Sequence, residues 1–195
     1  EVVYTFPSGT IRHVHNIAYD QFENCFWVVT GDEDMESKIL RASLDWRNVE
    51  TLLEGNQQAR AAALIIRPEG VYYATDTPHE QNHIYLIERK GGRKRLCQTL
   101  GPSMWSCEVD SAMFFSTASE PGDFYYPFAC IYGSIDGEKW ERLIEWPKDR
   151  LHPKYFQFGN IILPRGKNRN NLLAATGVAV KKEDSVLNLW KVKSF

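Results

Sequence analysis

Phe26-Trp27-Val28-Val29-Thr30, Val71-Tyr72-Tyr73-Ala74-Thr75, Met113-Phe114-Phe115-Ser116-Thr117 and Leu172-Leu173-Ala174-Ala175-Thr176 are four apolar runs that each end in threonine. Runs this short, the first three rich in aromatic and β-branched side chains, read as buried strands. They recur at roughly 40 to 60 residues, near the blade period of about 40 to 50 in propeller repeats.

A block of similar design surrounds each run. The first block comprises Val14 to Tyr19, Cys25 to Thr30, Ser37 to Ser43 and Val49 to Leu53. The second comprises Arg60 to Ile66, Gly70 to Thr75, Asn82 to Glu88 and Arg95 to Leu100. The third comprises Trp105 to Val109, Met113 to Thr117, Pro127 to Gly133 and Trp140 to Trp146. The fourth has only Tyr155 to Leu163, Asn171 to Thr176 and Ser185 to Val192. Turn signals such as Gly31-Asp32, Gly91-Gly92, Gly101-Pro102 and Asp136-Gly137 punctuate the runs. The expected fold is all-β: a β-propeller of about four four-stranded antiparallel blades, forming one domain over residues 1–195. Blades are expected at about 13–55, 58–101, 104–147 and 155–195. Gln57 to Ile66, despite its alanines, is read as an innermost strand, because small residues let strands crowd near an axis.

The fourth block lacks a partner strand. Val2 to Phe6, within residues 1–7, could supply one and close a ring of four. The other reading is that the chain is part of a larger propeller with five to seven blades. The start at Glu1, without an initiating Met or a signal-peptide pattern, suits a processed chain or a piece of a longer protein.

Composition narrows the partners. With 43% hydrophobic residues in 195, the chain can bury a core. A net charge of −2 gives no global field for nucleic acid or an anionic membrane, so neither is an expected partner. No stretch approaches the roughly 20 apolar residues of a spanning helix. Cys25, Cys97, Cys107 and Cys130 form no Cys-x-x-Cys pair and read as buried reduced thiols, with a Cys97–Cys107 bridge as the lesser alternative. Arg89-Lys90-Gly91-Gly92-Arg93-Lys94-Arg95 reads as a solvated hairpin tip.

Ser134-Ile135-Asp136-Gly137-Glu138-Lys139-Trp140 resembles the Asp-box, or BNR repeat, of sialidase-like propellers, one residue short. Ser43-Leu44-Asp45-Trp46 is a weaker copy. In such a turn the carboxylate accepts backbone N–H groups and the Trp packs beneath. The resemblance implies a carbohydrate-binding or carbohydrate-processing propeller, as in BNR-repeat glycosyl hydrolases or polysaccharide lyases. The arginine triad and Tyr/Glu pair of sialidases cannot be placed here. The family's geometry implies a site on the rim shared by the loops joining second and third strands and the loops that enter each blade.

Those loops carry Asp32 and Glu36, then Asp76 and Glu80, then Glu120. These five are the candidate catalytic carboxylates, since paired carboxylates do acid, base or nucleophile work on glycosides. Polar turn residues capping strand ends would look the same. His13 and His15 alternate onto one face, and Arg60 enters the second inner strand at the matching place. With Trp105 they are the candidate substrate-binding residues. Tyr125 and Tyr126 could also stack on sugar rings. The His13/His15 spacing suits a metal or a general base, but no metal and no cofactor is assigned. The expected ligand is a saccharide, and exposed blade edges would allow a homodimer. The alternative function is a non-catalytic protein-interaction or scaffold propeller. Compartment stays open, because free thiols suit a reducing space and saccharide handling an external one.

Overall fold

Sixteen strands and one 3-10 turn make up the regular structure of residues 1–193, the residues described by the computed structural model. Residues 194 and 195, at the end of the fourth expected blade, lie outside them. The first sheet holds β1 (His13–Asp20), β2 (Cys25–Gly31), β3 (Lys38–Ser43) and β4 (Val49–Glu54) in that order. The second holds β5 (Ala61–Arg67), β6 (Gly70–Thr75), β7 (Asn82–Glu88) and β8 (Arg93–Thr99). The third holds β9 (Ser103–Val109), β10 (Ala112–Thr117), β11 (Phe128–Ser134) and β12 (Glu141–Pro147). All three are antiparallel meanders, so the fold is that of a β-propeller. The fourth sheet is shorter: β13 (Asn160–Ile162), β15 (Leu172–Val178) and β16 (Leu187–Lys191). Between its first two strands, β14 (Lys167–Asn168) crosses to the third sheet and pairs parallel to β9.

The repeat extends to its irregularities. In each complete blade the innermost strand carries one extra residue at its rim end: His15, Ala62 and Met104. Each bulge lies beside the terminal threonine of the second strand, Thr30, Thr75 or Thr117. These threonines are fully buried, and their hydroxyls tie the following loop. Thr30 donates to the Glu36 carbonyl at 2.6 Å, Thr75 to Asn82 Oδ1 at 2.8 Å, and Thr117 accepts from the Cys130 amide at 3.3 Å. The recurring threonine therefore closes the rim loop. A second bulge recurs on the outer strands at Leu52, Leu96 and Leu143. Bulges bend a strand and re-aim the extra side chain.

Three apolar clusters join consecutive sheets. Trp27, Val29 and Ile39 pack on Val71 and Tyr73. Tyr72, Ala74 and Ile84 pack on Phe115, Tyr132 and Trp140. Phe114, Ile131 and Trp146 pack on Ile161, Leu173 and Val180. Side chains also bridge the sheets: Asn16 Nδ2 donates to the Ala62 carbonyl at 3.0 Å, Ser106 Oγ to Leu64 at 3.0 Å, and Ser116 Oγ to Ile161 at 2.6 Å. Among the described residues no such cluster joins the first sheet to the fourth. Leu172, Leu187 and Leu189 stay exposed on the far side of the fourth sheet.

Several sequence expectations change. Residues 1–7 form no strand and do not pair with the fourth sheet. Tyr4 instead lies against Trp46 (5.5 Å between ring centroids), which stacks on Phe26, because the aromatic face of the first blade offers burial nearby. Gln57–Ala59 is a single 3-10 turn, set by Asn56 accepting from the Gln58 amide, and the strand begins only at Ala61. The basic hairpin is not simply solvated. Arg89 is largely buried against Asp20 of the neighbouring blade, and Arg93 lies over the Tyr85 ring at 4.7 Å and donates to the Tyr73 hydroxyl at 3.2 Å. All four cysteines are free thiols, with Cys25, Cys107 and Cys130 buried.

The two Ser-x-Asp turns share one geometry. Asp136 Oδ1 accepts from the amides of Glu138 and Lys139, both at 2.9 Å, and Trp140 Nε1 donates to the Gly137 carbonyl at 3.1 Å. Asp45 Oδ1 accepts from the Arg47 amide at 3.1 Å. Gly137 has φ +78°, and Trp46 holds the same left-handed place at φ +57°. These contacts cap hairpins and carry no chemistry.

Candidate functional site

The loops after β2, β6 and β10 meet on one rim. The third is fastened to the second, with the Asp123 amide donating to the Pro78 carbonyl at 2.9 Å and Gly122 packed so closely on Pro78 that a Cβ would clash. Beside them lies a polar cluster drawn from three blades.

His15 sits at its centre because the β1 bulge aims it toward the second blade. Its Nδ1 lies 2.9 Å from the Ala61 carbonyl, which only accepts, so Nδ1 carries the donated proton. Nε2 faces Asp32 Oδ1 at 3.3 Å. Burial chiefly lowers the pKa of His15, with the charges of His13 and Arg60 acting in the same sense. The bond to Ala61 and the Asp32 charge oppose it. His13, two residues earlier, is half exposed. Its ring centroid is 4.7 Å from that of His15, and its Nδ1 is 3.9 Å from Asp32 Oδ2.

Arg60 runs between two carboxylates. It donates to the Asp32 main-chain oxygen at 3.1 Å, lies 3.4 Å from Asp32 Oδ1, and brings Nε within 3.8 Å of Asp76 Oδ2. Asp76 is almost fully enclosed, and its Oδ1 has no hydrogen-bond partner. Burial pushes its carboxyl up to about 8; Arg60 opposes this, while Glu120 and Asp32 add to it. Glu120 is also raised, first by burial, with Arg60 opposing and Asp32 adding. Its Oε2 is buried without a partner.

The structure thus brings together His13, His15, Asp32, Arg60, Asp76 and Glu120. Three other candidates are engaged elsewhere. Glu36 accepts from the Asp32 amide at 3.3 Å and pairs with Arg12 at 3.4 Å. Glu80 accepts from Gln58 Nε2 at 2.7 Å on the far side of the β6–β7 loop. Trp105 is not on the rim at all. It lies on β9 against the core between the third and fourth sheets, under the Arg165 guanidinium at 5.2 Å. Tyr126 points outward to Glu145 at 3.0 Å, while Tyr125 is exposed on the rim loop.

Two residues went unrecognised in the sequence, Gln57 and Gln58. Gln57 Nε2 bonds Asp34 Oδ1 at 2.8 Å and the Asp32 carbonyl at 3.1 Å, and Gln58 links Glu80, Tyr85 and His83. The sequence carried no distinguishing signal for them, because polar residues in a turn before an inner strand are ordinary.

The buried Asp76 predicts a pH effect. The unfolded carboxyl loses its proton near pH 4, the folded one only at about 8. Between these values the unfolded state binds fewer protons, so stability from this group falls as pH rises. Asp76→Asn should therefore gain thermal stability relative to the parent chain as pH is raised from 5 to 8. Melting curves of both proteins across that range check this, and parallel pH profiles would contradict it.

Neither a scan against protein-family models nor a search of curated proteins finds a match to the chain. Among solved structures, the β-propeller domain of Cps50 (Swd1) from Myceliophteria thermophila aligns with a TM-score of 0.49 and 12% identity, covering 91% of this chain and 52% of that one. The chain spans about half the length of that structure.

Proposed function

We propose that the chain is a non-catalytic interaction module that holds a protein partner on its rim. The observation that carries this reading is how the rim is furnished. Met35 is 76% exposed there, and Phe124 and Tyr125 are each 49% exposed on the neighbouring loop. An open depression of about 490 Å³ lies between the first two rim loops, lined by Glu33, Asp34, Met35, Gln57, His79 and Glu80. Most of the carboxylates nearby are already held by Arg12, Arg60, Gln57 and Gln58, which suits a fixed recognition surface better than a reaction centre. An exposed apolar anchor among acidic groups fits a basic peptide segment bearing one apolar side chain.

A peptide array of varied charge tests this. Binding should favour Lys/Arg-rich sequences, and a Met35→Ser/Asp34→Lys variant should bind them at least tenfold more weakly. Equal binding by the parent and the variant would overturn the reading.

One observation favours the saccharide reading as second. Asp76 and Glu120 each bury a carboxylate oxygen that has no hydrogen-bond partner, and burial raises both groups toward the protonated form that a general acid requires. A glycan array probed with the parent chain and with Asp76→Ala and Glu120→Ala addresses it. Saccharide binding lost in both variants without unfolding would support it, and no glycan bound by the parent would remove it.

A further inference from the structure

We propose that His13, His15 and Asp32 form a binding site for a divalent transition-metal ion of the zinc class. The Nδ1 or Nε2 atoms of the two imidazoles and a carboxylate oxygen of Asp32 lie within 4.8 Å of one another. Two ligands of one tetrahedral zinc ion are separated by about 3.4 Å, given metal–ligand bonds of about 2.0 to 2.2 Å. His15 Nε2 and Asp32 Oδ1 already stand 3.3 Å apart, and His13 Nδ1 needs to close from 3.9 Å toward Asp32 Oδ2.

The hydrogen bonding gives an independent reason. The Ala61 carbonyl takes the Nδ1 proton of His15, which leaves the Nε2 lone pair facing a carboxylate oxygen. Two acceptors at that distance repel, so either a second proton on Nε2 or a metal ion stands between them, and the adjacent His13 imidazole supplies a further donor that a metal ion, not a proton, would use. A backbone carbonyl behind the distal nitrogen is also how metal-binding histidines are oriented. The bulge at His15 is what makes this possible, since the equivalent residues of the next two blades are Ala62 and Met104. The donor set selects the ion: two imidazoles and one carboxylate suit zinc, cobalt or nickel, and not magnesium or calcium, which take oxygen ligands. His13 is half exposed, so water completes the coordination.

Arg60 is the competitor. Its guanidinium is 3.4 Å from Asp32 Oδ1 and must share that carboxylate with an ion. Asp76, 3.9 Å from His15 Nδ1, lies behind the ring and does not face the ion.

The test is calorimetric titration of the chelator-stripped chain with Zn²⁺, with Mg²⁺ as control and Co²⁺ absorption as a report on coordination. The parent chain should bind one Zn²⁺, ignore Mg²⁺ and give the visible spectrum of low-symmetry N/O-ligated Co²⁺. His13→Ala, at an exposed position that leaves the fold intact, should bind at least tenfold more weakly. Asp32→Asn should do the same, and Arg60→Gln should bind more tightly. No stoichiometric binding by the parent, or unchanged affinity in His13→Ala, would overturn the assignment.

Discussion

Asp20→Ala should destabilise the protein by about 3 to 5 kcal/mol, the usual cost of stranding one partner of a buried ion pair. Asp20 is fully buried at the end of β1. It accepts from the Phe22 amide at 2.9 Å, from Trp27 Nε1 at 2.9 Å and from the guanidinium of Arg89, which reaches across from the second blade. Burial alone would raise this carboxyl. The donors from Arg89, Phe22, Trp27 and Glu23 together outweigh it and hold the pKa below the ordinary value. The stabilisation is therefore present above the unfolded pKa and is lost as pH falls through the folded one. For a chain of this size the expected fall in Tm is about 6 to 20 °C at neutral pH. The gap between the parent and Asp20→Ala should narrow in acid. A loss under 1 kcal/mol would mean that the Asp20–Arg89 tie does not hold the first two blades together.

Phe115→Ala should cost a similar amount, about 3 to 5 kcal/mol, by a different mechanism. Phe115 is fully enclosed between the second and third sheets, with its ring centroid 5.4 Å from that of Trp140. Removing it leaves a cavity that the rigid sheets on either side cannot fill. Phe115→Leu should cost much less, because it keeps most of the volume. Urea unfolding with an unchanged m-value measures both variants. Equal losses for Ala and Leu would show that the ring is not packed as described.

Much of this architecture was legible in the four runs ending in threonine. In the three complete blades they recur because the second strand is buried on both faces and its terminal threonine hydroxyl ties the rim loop, whereas the run of the fourth sheet keeps the pattern with one face partly exposed. The rim cluster was legible in part. The loops that should meet do meet, and His15, Asp32, Arg60 and Asp76 converge. Glu36 and Glu80 looked equivalent to Asp32 and Asp76 in the chain. Only the three-dimensional position of Arg12 and Gln58 shows that they are occupied. Trp105 was misplaced because an aromatic at the start of an inner strand can face either the rim or the neighbouring sheet, and the apolar surface of the fourth sheet decides. The bulges left no trace, since His15, Ala62 and Met104 share no chemistry. The fate of residues 1–7 was likewise out of reach. A local pattern of apolar residues says what can pair, whereas the partner is set by what lies uncovered nearby. Arg89 was read by charge density alone, and its burial depends on an Asp 69 residues away in sequence.

The central claim is that rim segments distant in the chain converge around one axis. Nuclear Overhauser contacts from the His15 ring test it most directly. Strong contacts to Ala61 and to the Arg60 side chain, with a slowly exchanging Nδ1 proton, are the predicted result. A His15 ring that shows contacts only within its own sheet would contradict it.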